Sequence, residues 1–301
     1  MREASMQILI TGGSGFIGQA LCPALLANGW QVTVVSRDTQ AAAGKLPAAV
    51  RLLADIEGAG GADAVINLAG APLAGRRWND DYKQTLRESR LRTTEALMAW
   101  MESLTVRPAV LVSGSAIGYY GPRDDTPLPE TAEAGTDFGA RLTADWEAAA
   151  APARELGVRT TLLRTGVVLG AGGGALQQLL TPYRMGLGGP IGDGNQWFSW
   201  IHRDDIVRLI LWILDQSTLD GPVNATAPEP VRQKEFAAAL GRVLHRPAIL
   251  PTPGFALKAA FGEMSQMLVD GQRVIPARAQ GQGFQFLYPD IDSALAQVVG
   301  D

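Results

Sequence analysis

Short apolar runs alternate along the chain with stretches whose apolar residues recur every three or four positions. That alternation predicts repeated βαβ units around a parallel sheet. The runs at 7–10 (QILI), 31–36 (QVTVVS), 50–53 (VRLL), 63–70 (DAVINLAG), 108–115 (PAVLVSGS) and 158–169 (VRTTLLRTGVVL) read as strands. Helical patterns occupy 16–28, 79–103 and 139–156, the first stopped by Gly29. The expected fold is α/β, a Rossmann-type doubly wound parallel sheet whose ligands bind beyond the carboxyl ends of the strands.

The pattern changes at residue 170. Glycines crowd 170–194 around a helix-capable centre at 175–185, followed by WFSWI (197–201), a helix at 203–215 and a strand at 222–227. Prolines and short elements dominate from about 228. The expected division is a nucleotide-binding domain over 6–227, with a lobe-forming insertion near 170–200, and a smaller, mainly C-terminal substrate lobe over 228–301.

Composition narrows the function classes. The formal net charge of -4, with arginines scattered along the chain, excludes a basic nucleic-acid face. The single cysteine, Cys22, excludes an internal disulfide framework, and the two histidines, His202 and His245, leave no histidine-rich metal site, so no metal is expected. No apolar stretch has the length of a membrane span and no leader precedes the first strand, which points to a soluble, cytoplasmic protein. A homodimer is the default expectation for assembly.

The sharpest motif is ILITGGSGFIGQAL, in which Gly12, Gly15 and Gly18 follow the first strand and open a helix. Glycines there allow a tight turn and close backbone approach, and a helix amino terminus attracts a pyrophosphate. The second strand ends in Ser36 and Arg37, where an arginine pairs with a ribose 2′-phosphate and an acid would favour the free diol. The expected cofactor is therefore NADP(H).

With this loop, NLAG after the fourth strand and SGSAIGYYG after the fifth, the chain resembles the extended short-chain dehydrogenase/reductase superfamily. LLRTGVVLG, SWIHRDD, NATAP and the terminal GEMSQMLVDGQRVIPARAQGQGFQFLYPD make it more similar to the YfcH-type, sugar-nucleotide-epimerase-like branch with its C-terminal module of unknown role. The resemblance implies pyrophosphate contacts from Gly12, Gly15, Gly18 and the backbone of Phe16 and Ile17. It also implies an adenine contact at Asp55, a cofactor-facing loop of Leu68, Ala69 and Gly70, and a nicotinamide edge formed by Ser113 and Ser115. Ser115 would polarise the substrate oxygen. Turn hydrogen bonding is an equally ordinary use of Asp55 and of both serines.

The superfamily's tyrosine, followed four residues later by a lysine, is missing. None of Lys45, Lys83, Lys234 and Lys258 follows a tyrosine at that spacing, and the corresponding region holds Phe138, Arg141, Leu142 and Thr143. Tyr119 and Tyr120 are the candidate replacement proton carriers, with Arg141 or Arg164 supplying charge; packing under the sheet is the alternative for one of them. On the substrate side stand Arg76, Arg77 and Trp78 after the fourth strand, Arg90 on the long helix, and Asn195, Gln196, Trp197, Trp200 and His202. Strand packing accounts for at least one of these tryptophans, and His202 has a structural reading as well as a binding one.

Three functions compete at this point. The first is an NADP(H)-dependent oxidoreductase or epimerase-like enzyme acting on a small polar substrate such as a nucleotide sugar. The second is a catalytically inactive NADP(H)-binding sensor or scaffold. The third is an interaction module built on the C-terminal lobe.

Overall fold

The apolar runs form the expected sheet because their β-branched residues are buried where strands pack on both faces, as at Ile8, Ile10, Val32, Val34, Val65 and Ile66. The computed structural model describes residues 5–73, 76–252, 262–265 and 269–300. Lys258, named above, lies outside these residues. The strands are β1 (Gln7–Thr11), β2 (Gln31–Val35), β3 (Arg51–Leu53), β4 (Ala64–Asn67), β5 (Val110–Ala116), β6 (Arg159–Thr165), β7 (Val167–Leu169), β8 (Trp197–Phe198), β9 (Trp200–His202), β10 (Gly221–Ala225) and β11 (Val231–Arg232). Seven make one parallel sheet in the order β10-β6-β5-β4-β1-β2-β3. The order reverses between β1 and β4, which places the ligand crevice at their carboxyl ends.

The helices are α1 (Gly18–Ala27), α2 (Thr39–Ala43), α3 (Asp80–Ser103), α4 (Phe138–Ala150), α5 (Pro152–Glu155), α6 (Gly174–Arg184), α7 (Arg203–Asp215), α8 (Gln233–Val243), α9 (Ala277–Gly281) and α10 (Ile291–Gly300). Leu21 and Leu25 of α1 share one face of the sheet with Ile206, Ile210 and Ile213 of α7. Leu97 and Met101 of α3 cover the other face. The sheet grows in the same direction from β4 to β5 as from β6 to β10, yet the crossover helices α3 and α7 lie on opposite faces. The β6–α7–β10 crossover therefore has the reverse hand of β4–α3–β5, and of the usual right-handed unit.

Two expected elements divide. The run 158–169 becomes β6 and β7 because a side chain at Gly166 would come within 2.8 Å of Ser199 O; β7 leaves the sheet there and pairs with β9. The helix expected over 139–156 breaks before Pro152, which starts the separate turn α5.

Packing crosses the expected 227/228 boundary in both directions. Leu176, Leu180 and Tyr183 of α6 join Trp200, Phe236 and Leu240 of α8, and Leu295 and Val298 of α10, in a second core. Ala279 of α9 and Phe284 return to the core under the main sheet.

Candidate active site

The turn after β1 is built from glycines, of which Gly12, Gly13 and Gly18 have no room for a side chain. Gly12 has φ +74°, and a Cβ there would lie 2.5 Å from the Leu68 carbonyl. A Cβ on Gly18 would meet Gly13 O at 2.2 Å, so the helix starts in contact with the turn. Gly13, which the spacing argument passed over, faces Val34 at 2.6 Å. At Gly15 the sole heavy atom within 4 Å of a built Cβ is Gly12 O, at 3.1 Å, which leaves the outer side open for close approach of a ligand. The Gly15 N–H bonds Gly12 O at 3.0 Å. The α1 amino terminus has neither a side-chain cap nor an acid in its first turn. By contrast, α2, α3, α4 and α7 are capped by Asp38, Asn79, Asp137 and His202. An open, positive helix end beside a glycine turn fits a pyrophosphate. The Phe16 ring points the other way, into Gly170, Gly173 and Gly174, with the Arg203 guanidinium 5.0 Å from its centroid.

At the end of β2, Asp38 turns away to cap α2, accepting the Ala41 N–H at 2.8 Å, while the Ser36 hydroxyl donates to Asp38 O at 3.1 Å. Arg37 is exposed and makes no hydrogen bond or ion pair among the described residues. Asp55, an exposed residue, spends one carboxylate oxygen on the Gly58 N–H at 3.0 Å, which is turn chemistry. Leu68 and Ala69 are held at the crevice by bonds from their N–H groups to Thr11 O (2.9 Å) and Asn67 Oδ1 (3.4 Å).

Arg90 corrects an expectation. It is buried beneath the loop that follows β4, with its guanidinium carbon 3.0 Å from where a Gly70 side chain would begin. It donates to Leu86 O (2.9 Å) and Ala71 O (3.2 Å) and stacks on Trp146 at 5.1 Å. Burial pulls its pKa down to about 10, partly countered by Tyr82.

The carboxyl ends of the strands carry two rows of polar residues. Thr11, Asn67 and Ser113 are register partners across β1, β4 and β5. Ser115, Arg164 and Asn224 are partners one step further out, across β5, β6 and β10. In the first row Thr11 donates to Asn67 at 2.7 Å and Asn67 to Thr94 at 2.9 Å. The fully buried Ser113 hydroxyl has no partner among the described residues. In the second row Glu147 of α4 receives the Ser115 hydroxyl at 2.6 Å and a two-pronged guanidinium from Arg164 at 2.8 and 2.9 Å. Arg164 also donates to Tyr120 Oη at 3.0 Å and to Glu130 O at 3.2 Å. Burial disfavours the Arg164 charge, but the hydrogen bonds and charge of Glu147 outweigh it and raise its pKa.

Tyr120 is a second correction. It has no exposed surface, and its hydroxyl donates to Asn224 Oδ1 at 2.7 Å while accepting from Arg164. Burial pushes its pKa up despite Arg164. Tyr119 is half-buried with Arg164 3.5 Å from its ring centroid, and its hydroxyl has no hydrogen bond among the described residues. In the region that lacks the tyrosine and lysine, Phe138 packs edge-on against Trp78 at 5.5 Å, and Leu142 is buried with Trp78, Tyr82, Leu86 and Met264.

The structure separates the residues expected on the substrate side. Trp78 is buried and donates its indole N–H to Leu73 O at 2.9 Å, whereas Arg77 is exposed and packs on Gly262. Trp200 is a core residue, its N–H bonded to Glu229 O at 3.1 Å, and so is not a ligand contact. His202 is corrected likewise. Its Nδ1 accepts the Asp204 N–H at 3.1 Å to cap α7, and its Nε2 faces Gln297 Oε1 at 2.7 Å. Burial lowers its pKa. Among the described residues no helix is long and apolar enough to cross a membrane, and no group of three or more metal-ligating side chains forms.

Comparison with known proteins places this geometry. Residues 8–225 match the family described as NAD dependent epimerase/dehydratase, and residues 252–298 match a domain of unknown function, DUF1731. An Arabidopsis thaliana protein named epimerase family protein SDR39U1 homolog, chloroplastic, is 39% identical, over 99% of this chain and 88% of its own length. The crystal structure of human epimerase family protein SDR39U1 with NADPH superposes with a TM-score of 0.89 at 34% identity, covering 98% of this chain and 100% of that one. A Bacillus cereus UDP-glucuronic acid 4-epimerase, at 17% identity and a TM-score of 0.78 over 98% of each chain, shares the fold.

Proposed function

Because the chain belongs to the NAD dependent epimerase/dehydratase family, we propose that it binds NADP(H) in the β1–β4 crevice and acts as an oxidoreductase or epimerase-like enzyme on a small polar substrate. The observation that carries this reading is the juxtaposition of the side-chain-free turn at Gly15 with the partnerless, fully buried Ser113 hydroxyl at the carboxyl ends of β1 and β5. The exposed Arg37 supports the 2′-phosphate preference, and the human relative's NADPH complex supports it independently. When bound, the dinucleotide supplies the hydride acceptor or donor. Gly12, Gly15 and the α1 amino terminus hold its phosphates, and Leu68, Ala69 and Ser113 border the reactive end.

Fluorescence titration with NADPH and NADH tests the binding claim. Arg37→Ala should weaken NADPH about tenfold or more, as loss of a charge-assisted bond does, with little effect on NADH. Equal losses would overturn the 2′-phosphate assignment. Turnover is tested by NADPH absorbance against a panel of ketoses, and by NMR of nucleotide sugars for epimer formation. The burial of Tyr120 and the apolar substitutes at Phe138 and Leu142 favour a second reading, a non-catalytic NADP(H) sensor. Tight NADPH binding with no turnover in either screen would select it.

A further inference from the structure

We infer that Ser115 is an acceptor-only hydroxyl, fixed by Glu147 and Arg164, so that the site beside it takes a hydrogen-bond donor and not a carbonyl oxygen. Glu147 receives Arg164 N–H groups on both oxygens, at 2.8 and 2.9 Å. A carboxylate held in this way is ionised and offers lone pairs alone, so the hydrogen in its 2.6 Å contact with Ser115 belongs to the serine. The Arg164 and Glu147 side chains are 4% and 9% exposed, which leaves little water to compete. Charge-assisted O–H···O⁻ bonds are roughly twice as strong as neutral ones. Turning the hydroxyl outward would lose that bond and leave a buried carboxylate lone pair unmet. Ser115, itself 4% exposed, therefore offers lone pairs and not a hydrogen to a group that reaches it, and cannot polarise a substrate carbonyl by donation, the role that sequence resemblance implies for it.

The occupant supplies its own hydrogen. Two sources share this chemistry: the carboxamide N–H of a nicotinamide, which rests on the dinucleotide reading above, and the hydroxyl of an alcohol substrate, which does not. The first places an N–H at Ser115 and the second an alcohol O–H, and neither places a carbonyl oxygen there.

The full-length protein is first titrated with NADPH. One arm then compares NADP⁺ with 3-acetylpyridine adenine dinucleotide phosphate, which keeps the ring carbonyl and loses the N–H. The other compares cyclohexanol with cyclohexanone by saturation-transfer NMR, with and without NADP⁺. The donor-bearing member should bind about 3- to 10-fold tighter in at least one arm, the worth of one hydrogen bond. Ser115→Ala, which leaves the Glu147–Arg164 pair in place, should abolish the preference. The first arm alone responding identifies the carboxamide as the donor, and the second identifies a substrate hydroxyl. No preference in either arm, a preference for the carbonyl member, or a preference that survives in Ser115→Ala would overturn the inference. Failure to bind any dinucleotide would sink the proposed function instead, and the alcohol arm would still decide this one.

Discussion

Glu147→Gln removes one charge from a buried pair and leaves Arg164 without its counter-ion. Breaking such a pair from one side costs about 3–5 kcal/mol, because an unpaired guanidinium stays out of water. The upper half of that range applies here, since the Arg164 side chain is 4% exposed and both of its bonds to Glu147 are shorter than 3.0 Å. For a chain of this size each kcal/mol moves Tm by about 2 °C, so the loss should be about 8 °C. Chemical denaturation of wild type, Glu147→Gln, Arg164→Met and the double variant checks the sign of the coupling. The double variant should be more stable than the sum of the single losses, because it buries no lone charge. It should still fall about 1–3 kcal/mol short of wild type, since Tyr120 and Glu130 O lose the donor that Arg164 gives them. A Glu147→Gln loss below about 1 kcal/mol, or additive losses in the cycle, would show that the pair is hydrated and refute the reasoning.

Three further outcomes follow from the site. Gly15→Ala, with only Gly12 O near its Cβ, should fold normally and lose about tenfold or more in NADPH affinity, whereas Gly18→Ala, 2.2 Å from Gly13 O, should lower Tm; the reverse pattern in titration and melting curves would refute the division. Tyr120→Phe should cost about 1–3 kcal/mol in urea unfolding, by leaving Asn224 and Arg164 underbonded, with NADPH affinity unchanged; Tyr119→Phe should cost under about 0.5 kcal/mol. Burial depresses the folded-state pKa of His202, so the unfolded chain binds the extra proton first as acid is added. Its contribution is complete above about pH 6.5 and is lost as pH falls toward the folded value, so His202→Asn should flatten the stability–pH curve below about pH 6.5. An unchanged slope would exclude His202 as the cause.

The glycine turn after β1 was legible because its requirements are local. Gly12 needs a positive φ, Gly18 needs contact with the turn five residues before it, and both are written within one short segment. The second polar row was half legible. Ser115 was named through the family resemblance of SGSAIGYYG, but its partner Glu147 lies 32 residues on. The signal was present in two places. Glu147 falls on the buried stripe Ala140–Thr143–Glu147–Ala150 of an amphipathic helix, and Arg164 interrupts the apolar strand TLLRT. Opposite charges at buried positions of successive elements predict each other, because neither can be buried alone. His202 and Trp200 misled for the converse reason. A polar or aromatic residue near a crevice reads as a contact until the backbone groups it serves, Asp204 N–H and Glu229 O, are located. The acids beside them divided as well. Asp204 does not cap α7, and the buried Asp205 reaches the N–H groups of Leu287 and Tyr288 at 2.7 and 2.9 Å, tying the chain's last segment to the sheet.

The same burial logic constrains what chemistry the crevice retains. Phe138 and Leu142, spaced as the missing pair would be, pack with Trp78 and Met264, and Tyr82, the titratable member of that cluster, donates its hydroxyl to Pro72 O at 2.6 Å. Lys83 comes within 5.2 Å of the Phe138 ring centroid, and its ammonium is paired with Glu263. Along β5, Ser113 has no partner among the described residues and Ser115 is oriented by Glu147. Moving the polar atoms from the helix to the sheet changes the kind of control available. A phenol and an ammonium supply a titrating acid, whereas a serine held by an ion pair supplies a fixed direction of hydrogen bonding. Selection by hydrogen-bond direction operates equally well in an enzyme and in a sensor of the cofactor's occupancy. The donor-preference experiment therefore informs both readings, and turnover is the measurement that divides them.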